Sequence, residues 1–113
     1  MINKYFLEEP NILDLSKEIF NAVVDENLKI ETRFELISKK IEDAETVNFI
    51  LADGLGFSNL QSTDSFLNKH INNVVNTTFP SSTNVALTTI AMQANPIDHG
   101  VFSYYMYDKL KYG

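Results

Sequence analysis

Two short stretches carry residues whose type and setting could do chemistry. "FPSSTNVALTTI", Phe79 to Ile90, sets Pro80, Ser81, Ser82 and Thr83 directly ahead of an apolar, helix-like run. "ADGLG" sets the carboxylate of Asp53 at the end of another apolar run, with Gly54 and Gly56 on either side of Leu55. A helix that begins at or just after Thr83 leaves backbone N–H groups pointing outward, where an anionic phosphate can sit. A threonine hydroxyl is a poor nucleophile at neutral pH, but coordination to a cation acidifies a bound oxygen and activates it. Asp53 suits that cation, because its glycine neighbours allow a close approach that other residues resist. The chemistry implied is attack of a metal-bound hydroxyl on a phosphoric ester. Each residue also has a plainer reading: Asp-Gly is a common turn dipeptide, and a Ser or Thr hydroxyl before a helix is a common N-cap.

The elements that must position this pair follow from hydrophobic periodicity. "NILDLSKEIFNAVVDENL" places Ile12, Leu15, Ile19 and Val23 on one helical face, with Asn11 as its N-cap. "ETRFELISKKIED" repeats the pattern through Phe34, Ile37 and Ile41, and Thr32 and Glu35 have capping-box spacing. Residues 1–45 are therefore expected to form an N-terminal segment of two amphipathic helices. The character then changes. Val47, Phe49, Ile50 and Leu51 make a short, β-rich apolar run, the pattern of a strand buried on both faces in a parallel sheet. A short helix is expected around Thr63 to His70, and a second β-prone run follows through Val74, Val75, Thr77 and Phe79. "NVALTTIAM" reads as a helix stopped by Asn95-Pro96, and "HGVFSYYMYDKLKYG" as a glycine turn followed by a strand or covering loop. The order αα-β-α-β-α-β predicts an α/β domain over 46–113, with both candidates at strand ends where ligand-binding loops converge.

At this point the residues resemble a known family. "NFILADGLG", "FPSSTNVALTTIA" and "HGVFSYYMYD" look like the successive N-terminal motifs of the alkaline phosphatase superfamily, nearest its nucleotide pyrophosphatase/type I phosphodiesterase branch. The resemblance runs from about Thr46 to Asp108. It implies a three-layer fold with a mostly parallel central sheet and a site for two divalent metal ions, usually zinc. It makes Asp53 a metal ligand and Thr83 the metal-bound nucleophile, with Tyr104 and Asn84 as candidate substrate-binding groups. His99-Gly100 corresponds to a turn after the nucleophile helix, and His70 reads as a solvated helix end. Two positions depart from the pattern: Met92-Gln93 stand where relatives have Thr-Gly, and Tyr104 stands where secreted members have Asn.

Composition bounds the rest. The 113-residue chain has 44% hydrophobic and 12% aromatic residues, values of a globular domain. Its net charge of −6 argues against general nucleic-acid binding, since no basic face is available to neutralise phosphates. There is no cysteine, which removes disulfides, thiolate metal sites and cysteine catalysis together. No secretory h-region or membrane-length apolar run is present, so the expected location is cytoplasmic. A phosphate-ester small molecule or nucleotide is the expected substrate. Ligand arithmetic sets a limit, because a two-metal site needs several His and Asp side chains and this chain offers few. The expectation is thus an incomplete N-terminal part of a phosphoric-ester hydrolase, inactive by itself. The competing expectation is a non-catalytic module, or half of a split enzyme, that associates with itself or with a complementing chain. Sulfatase-like or phosphomutase-like chemistry is the alternative within the enzyme class.

Overall fold

In the computed structural model, which describes residues 8–106, helices are joined by long irregular segments. The first expected helix forms as α1, Ile12–Val23. Its start is set by Asn11, whose Oδ1 accepts from the N–H groups of Leu13 at 2.9 Å and Asp14 at 3.3 Å. Asp14 returns the contact by accepting the Asn11 N–H at 2.9 Å, closing a capping box. The most enclosed residues of α1 are Leu13 and three polar ones, Asp14, Ser16 and Glu18. The polar ones hold the chain that follows. Asp14 takes two hydrogen bonds from the Arg33 guanidinium, at 2.9 and 2.7 Å. Asn21 brackets Ile30, donating to its carbonyl and accepting its N–H, both at 2.8 Å. Glu18 accepts the N–H groups of Leu36, Ile37 and Ser38 at 2.5, 2.6 and 2.7 Å.

That last contact corrects the second expected helix. Only one turn forms, α2 at Ser38–Ile41, and the Thr32/Glu35 capping box is not made. The Glu18 carboxylate supplies the N-terminal acceptor from α1, so helical structure starts where Glu18 reaches rather than where the local spacing suggests.

The expected α/β fold is not found. The described residues contain no strand and no sheet; the one β-bridge pairs Asn11 with Asn76 in parallel. It consists of Ile12 N–H to Asn76 O at 2.8 Å and Asn76 N–H to Pro10 O at 3.0 Å. The run 47–51 is irregular and pairs with no other segment among the described residues, and Ile50 is 86% exposed. A buried parallel strand needs a neighbouring strand on each edge and helices over both faces. Here neither is supplied, and the tail at 101–106 is likewise not a strand. The remainder of that tail, 107–113, lies outside the described residues.

The other elements are α3 at Phe57–Gln61, α4 at Phe66–Lys69, α5 at Thr83–Met92 and α6 at Pro96–His99. α5 packs against α1 and α6, burying Val85 completely and leaving Thr89 1% exposed. Leu13 and Val85 are the buried hydrophobic residues among those described. α5 ends at Met92 ahead of the Asn95-Pro96 pair, because Gln93 adopts a left-handed conformation (φ 52°, ψ 37°). Asn95 and Pro96 instead start α6, with the proline in its first turn.

Candidate functional site

Two irregular segments bring the candidate residues together. The first is the irregular run 47–52, which turns at Asp53-Gly54, where Gly54 takes the positive φ of 75° that glycine tolerates. The second leads into α5. The Phe79–Pro80 peptide is cis, and the buried Thr78 hydroxyl donates to the Pro80 carbonyl at 2.9 Å. Ser82 is the extended N-cap residue (φ −117°, ψ 154°), and Thr83 is the first helical position. The Ser82 side chain does not cap the helix; its hydroxyl donates to Asn84 Oδ1 at 2.8 Å. The first turn of α5 therefore has no side-chain cap over its N–H groups.

Thr83 Oγ1 lies 3.4 Å from Asp53 Oδ1 and 3.5 Å from Oδ2. An O–H···O hydrogen bond is usually about 2.5–3.0 Å long, so the two groups face each other without a tight bond. Asp53 is exposed and Thr83 half-buried. They border a cleft of about 200 Å³, with Thr77, Ser81 and Ser82 adding hydroxyls and Ile12, Leu51 and Leu87 adding apolar wall. Asp53 is the one ionisable residue among those lining it. The partial positive charge of the α5 N-terminus favours an anion or a carboxylate at this place.

The oxygen spacing bears on a metal ion. Two oxygens that each sit roughly 2.0–2.2 Å from a tetrahedral ion lie roughly 3.3–3.6 Å apart. The Asp53–Thr83 pair thus fits one edge of such a shell. The described residues contain no group of three or more His, Cys, Asp or Glu side chains able to hold an ion. Both histidines are engaged elsewhere. His70 stacks on Phe66 at 4.1 Å, and its Nδ1 is 2.7 Å from the Phe66 carbonyl. His99 places Nε2 2.9 Å from Thr89 Oγ1 and accepts the Val101 N–H on Nδ1 at 3.1 Å. Nδ1 as acceptor makes Nε2 the protonated nitrogen, which donates to Thr89.

The remaining candidates are not brought to the cleft. Asn84 commits its amide, accepting from Ser82 and donating to the Ser103 carbonyl at 2.6 Å. It ties the start of α5 to the 101–106 segment. Tyr104 is 64% exposed and is not among the lining residues. The expected site list left out Ile12 and Thr77. Both arrive through the Asn11–Asn76 bridge, which joins positions far apart in the chain and leaves no local signal.

No described helix is long and apolar enough to cross a membrane. No protein-family model matches the chain, and no curated protein or solved structure matches it.

Proposed function

We propose that Asp53 and Thr83 are the working pair of a metal-dependent hydrolase of phosphoric esters, of phosphodiesterase or nucleotide-pyrophosphatase type. Thr83 is the nucleophile, and Asp53 and Thr83 are two of the ligands of a divalent cation, zinc by the resemblance. The observation that carries this reading is the approach of the Thr83 hydroxyl to the Asp53 carboxylate at 3.4 Å across 30 residues of sequence. When bound, the cation acidifies the coordinated hydroxyl and offsets the charge of the phosphoryl group. The chain's own groups do the rest. The uncapped first turn of α5 offers N–H donors to phosphoryl oxygens. Asp53 balances the cation, and Leu51 and Leu87 give the cleft an apolar wall. A cytoplasmic setting is part of this reading.

Calorimetric titration with zinc tests the ligand assignment. Asp53→Ala should weaken binding by roughly tenfold or more. Identical titrations for the parent and the variant would sink the assignment. Turnover of bis(p-nitrophenyl) phosphate by the chain alone should stay at background, because one edge of one shell does not make a two-metal site. Zinc-dependent turnover abolished by Thr83→Ala would show instead that the chain assembles a full site.

A second reading, a non-catalytic fragment that works by association, is favoured by the exposed apolar residues Phe49, Ile50, Leu51, Leu55 and Phe57. Size-exclusion chromatography separates the two, since a well-folded monomer counts against association.

A further inference from the structure

We infer that Asp53-Gly54 is a site of spontaneous covalent modification, at which the chain isomerises to isoaspartate without an enzyme or co-reactant. The reaction needs the main-chain nitrogen of the following residue to attack the aspartate Cγ. Water leaves from the carboxyl group, the Gly54 nitrogen loses its proton, and a five-membered succinimide closes. Hydrolysis at one ring carbonyl restores aspartate, and hydrolysis at the other yields isoaspartate. The net change is isomerisation, with one water lost and one regained.

Three observations place this reaction at Asp53. It is the one aspartate in the chain followed by glycine, and no asparagine is followed by glycine. Both residues are exposed, and apart from the two chain neighbours no atom lies within 4 Å of where a Gly54 Cβ would stand. No other segment therefore crowds the glycine side of the peptide. Finally, neither reactant is held. Among the described residues the Gly54 N–H makes no backbone hydrogen bond, and the carboxylate has no polar contact but the long ones to Thr83, at 3.4 and 3.5 Å. Asp64 is the useful contrast. It is also exposed, but its carboxylate pairs with Lys69 at 2.9 Å, and Ser65 presents a β-carbon to the approach.

The consequence is geometric and does not depend on the hydrolase reading. An isoaspartate adds a methylene to the main chain and shortens the side chain by the same unit, which changes where the carboxylate sits relative to Thr83. The test is prolonged incubation of the full chain at mildly acidic pH and body temperature. Isoaspartate is then quantified by enzymatic methyl transfer and located by peptide mapping. Accumulation at position 53, with little at Asp64, is expected. The signal should fall sharply in Gly54→Ala, where a β-carbon hinders the attack. Because alanine is strained at the positive φ of Gly54, Asp53→Glu provides the second variant: it keeps the glycine and requires a disfavoured six-membered ring. Equal accumulation at positions 53 and 64, none at 53, or an undiminished signal in Gly54→Ala would overturn the inference.

Discussion

The stretch from Asn11 to Ile41 and the stretch from Val47 to Phe57 are held in opposite ways. In the first, polar side chains of α1 reach across to main-chain groups and to Arg33, so that irregular backbone is fixed by Asp14, Glu18 and Asn21. In the second, apolar residues dominate, yet Phe49, Ile50, Leu51, Leu55 and Phe57 are all more than 40% exposed. Hydrophobicity alone does not fix a segment. Burial needs a second surface, whereas a carboxylate facing three N–H groups brings its own partners. The candidate pair sits at the junction: Thr83 belongs to a packed helix, and Asp53 to the loosely held run.

The contrast breaks most clearly at Glu18. Replacing it with alanine leaves the N–H groups of Leu36, Ile37 and Ser38 without their acceptor. Hydrogen bonds to a charged group contribute about 1.5–3 kcal/mol, and water recovers part of that here because these residues are half-buried. A loss of about 3 kcal/mol is expected for Glu18→Ala in urea titration. Hydrogen exchange should speed up at these three amides, while Asn59 and Leu60 stay unchanged. An unaffected exchange pattern would mean that Glu18 does not hold the segment.

Asp14 carries the next largest effect, and it can be read by pH. Burial works against its charge, but the hydrogen bonds from Arg33 and the Asn11 N–H, with the nearby charges of Arg33 and Lys17, outweigh it. Its pKa is held below the ordinary value near 3.8. The folded-state value is depressed, so the stabilisation is present above the ordinary carboxylate pKa and is lost as pH falls through the folded value. Acid titration should thus show stability declining below about pH 4, and Asp14→Asn should flatten that part of the curve. At neutral pH the variant should cost about 2 kcal/mol, combining the cap with a pair whose arginine is half-exposed.

These interactions also explain how much was legible in the sequence. The N-cap at Asn11 and the start of a helix at Thr83 depend on a few adjacent residues, and they could be read from Pro10-Asn11 and from Pro80-Ser81-Ser82-Thr83. The meeting of Asp53 with Thr83 was expected from a sheet, yet the two approach with no sheet, each carried by an irregular segment. The α/β reading failed because strand formation is a property of pairs. Val47 to Leu51 has strand composition, but nothing among the described residues pairs with it. The reach of Glu18 to residues 36–38 was invisible for a related reason, since no spacing rule links a carboxylate to main-chain groups about 20 residues away.

Gln93 is a smaller test, on the better-packed side. It stops α5 in a left-handed conformation that costs an L-residue about 1–2 kcal/mol. Its side chain donates to the Ile90 carbonyl at 2.6 Å, but its Oε1 is buried without a partner. Glycine relieves both the strain and the unpaired oxygen, at the expense of one hydrogen bond and some unfolded-state entropy. Gln93→Gly should therefore raise stability by about 0.5–1 kcal/mol, seen as a higher midpoint in thermal melts. A lower midpoint would show that the Ile90 contact outweighs the strain.

The smallest effect is expected where the sequence looks most like core. Ile50 lies in the middle of the apolar run, and a side chain of this kind fully buried in a sheet would contribute about 1.5–3 kcal/mol. At 86% exposure it has almost nothing to lose. Ile50→Ser should change the stability of the monomer by less than about 0.5 kcal/mol, the usual range for a surface position. Urea titration at two protein concentrations makes the measurement decisive. A cost of several times that size, independent of concentration, would mean that the run is buried within one chain and that the contrast between the two stretches fails. A cost that appears only at the higher concentration would place Ile50 against a second molecule, and would favour the associating fragment over the isolated site.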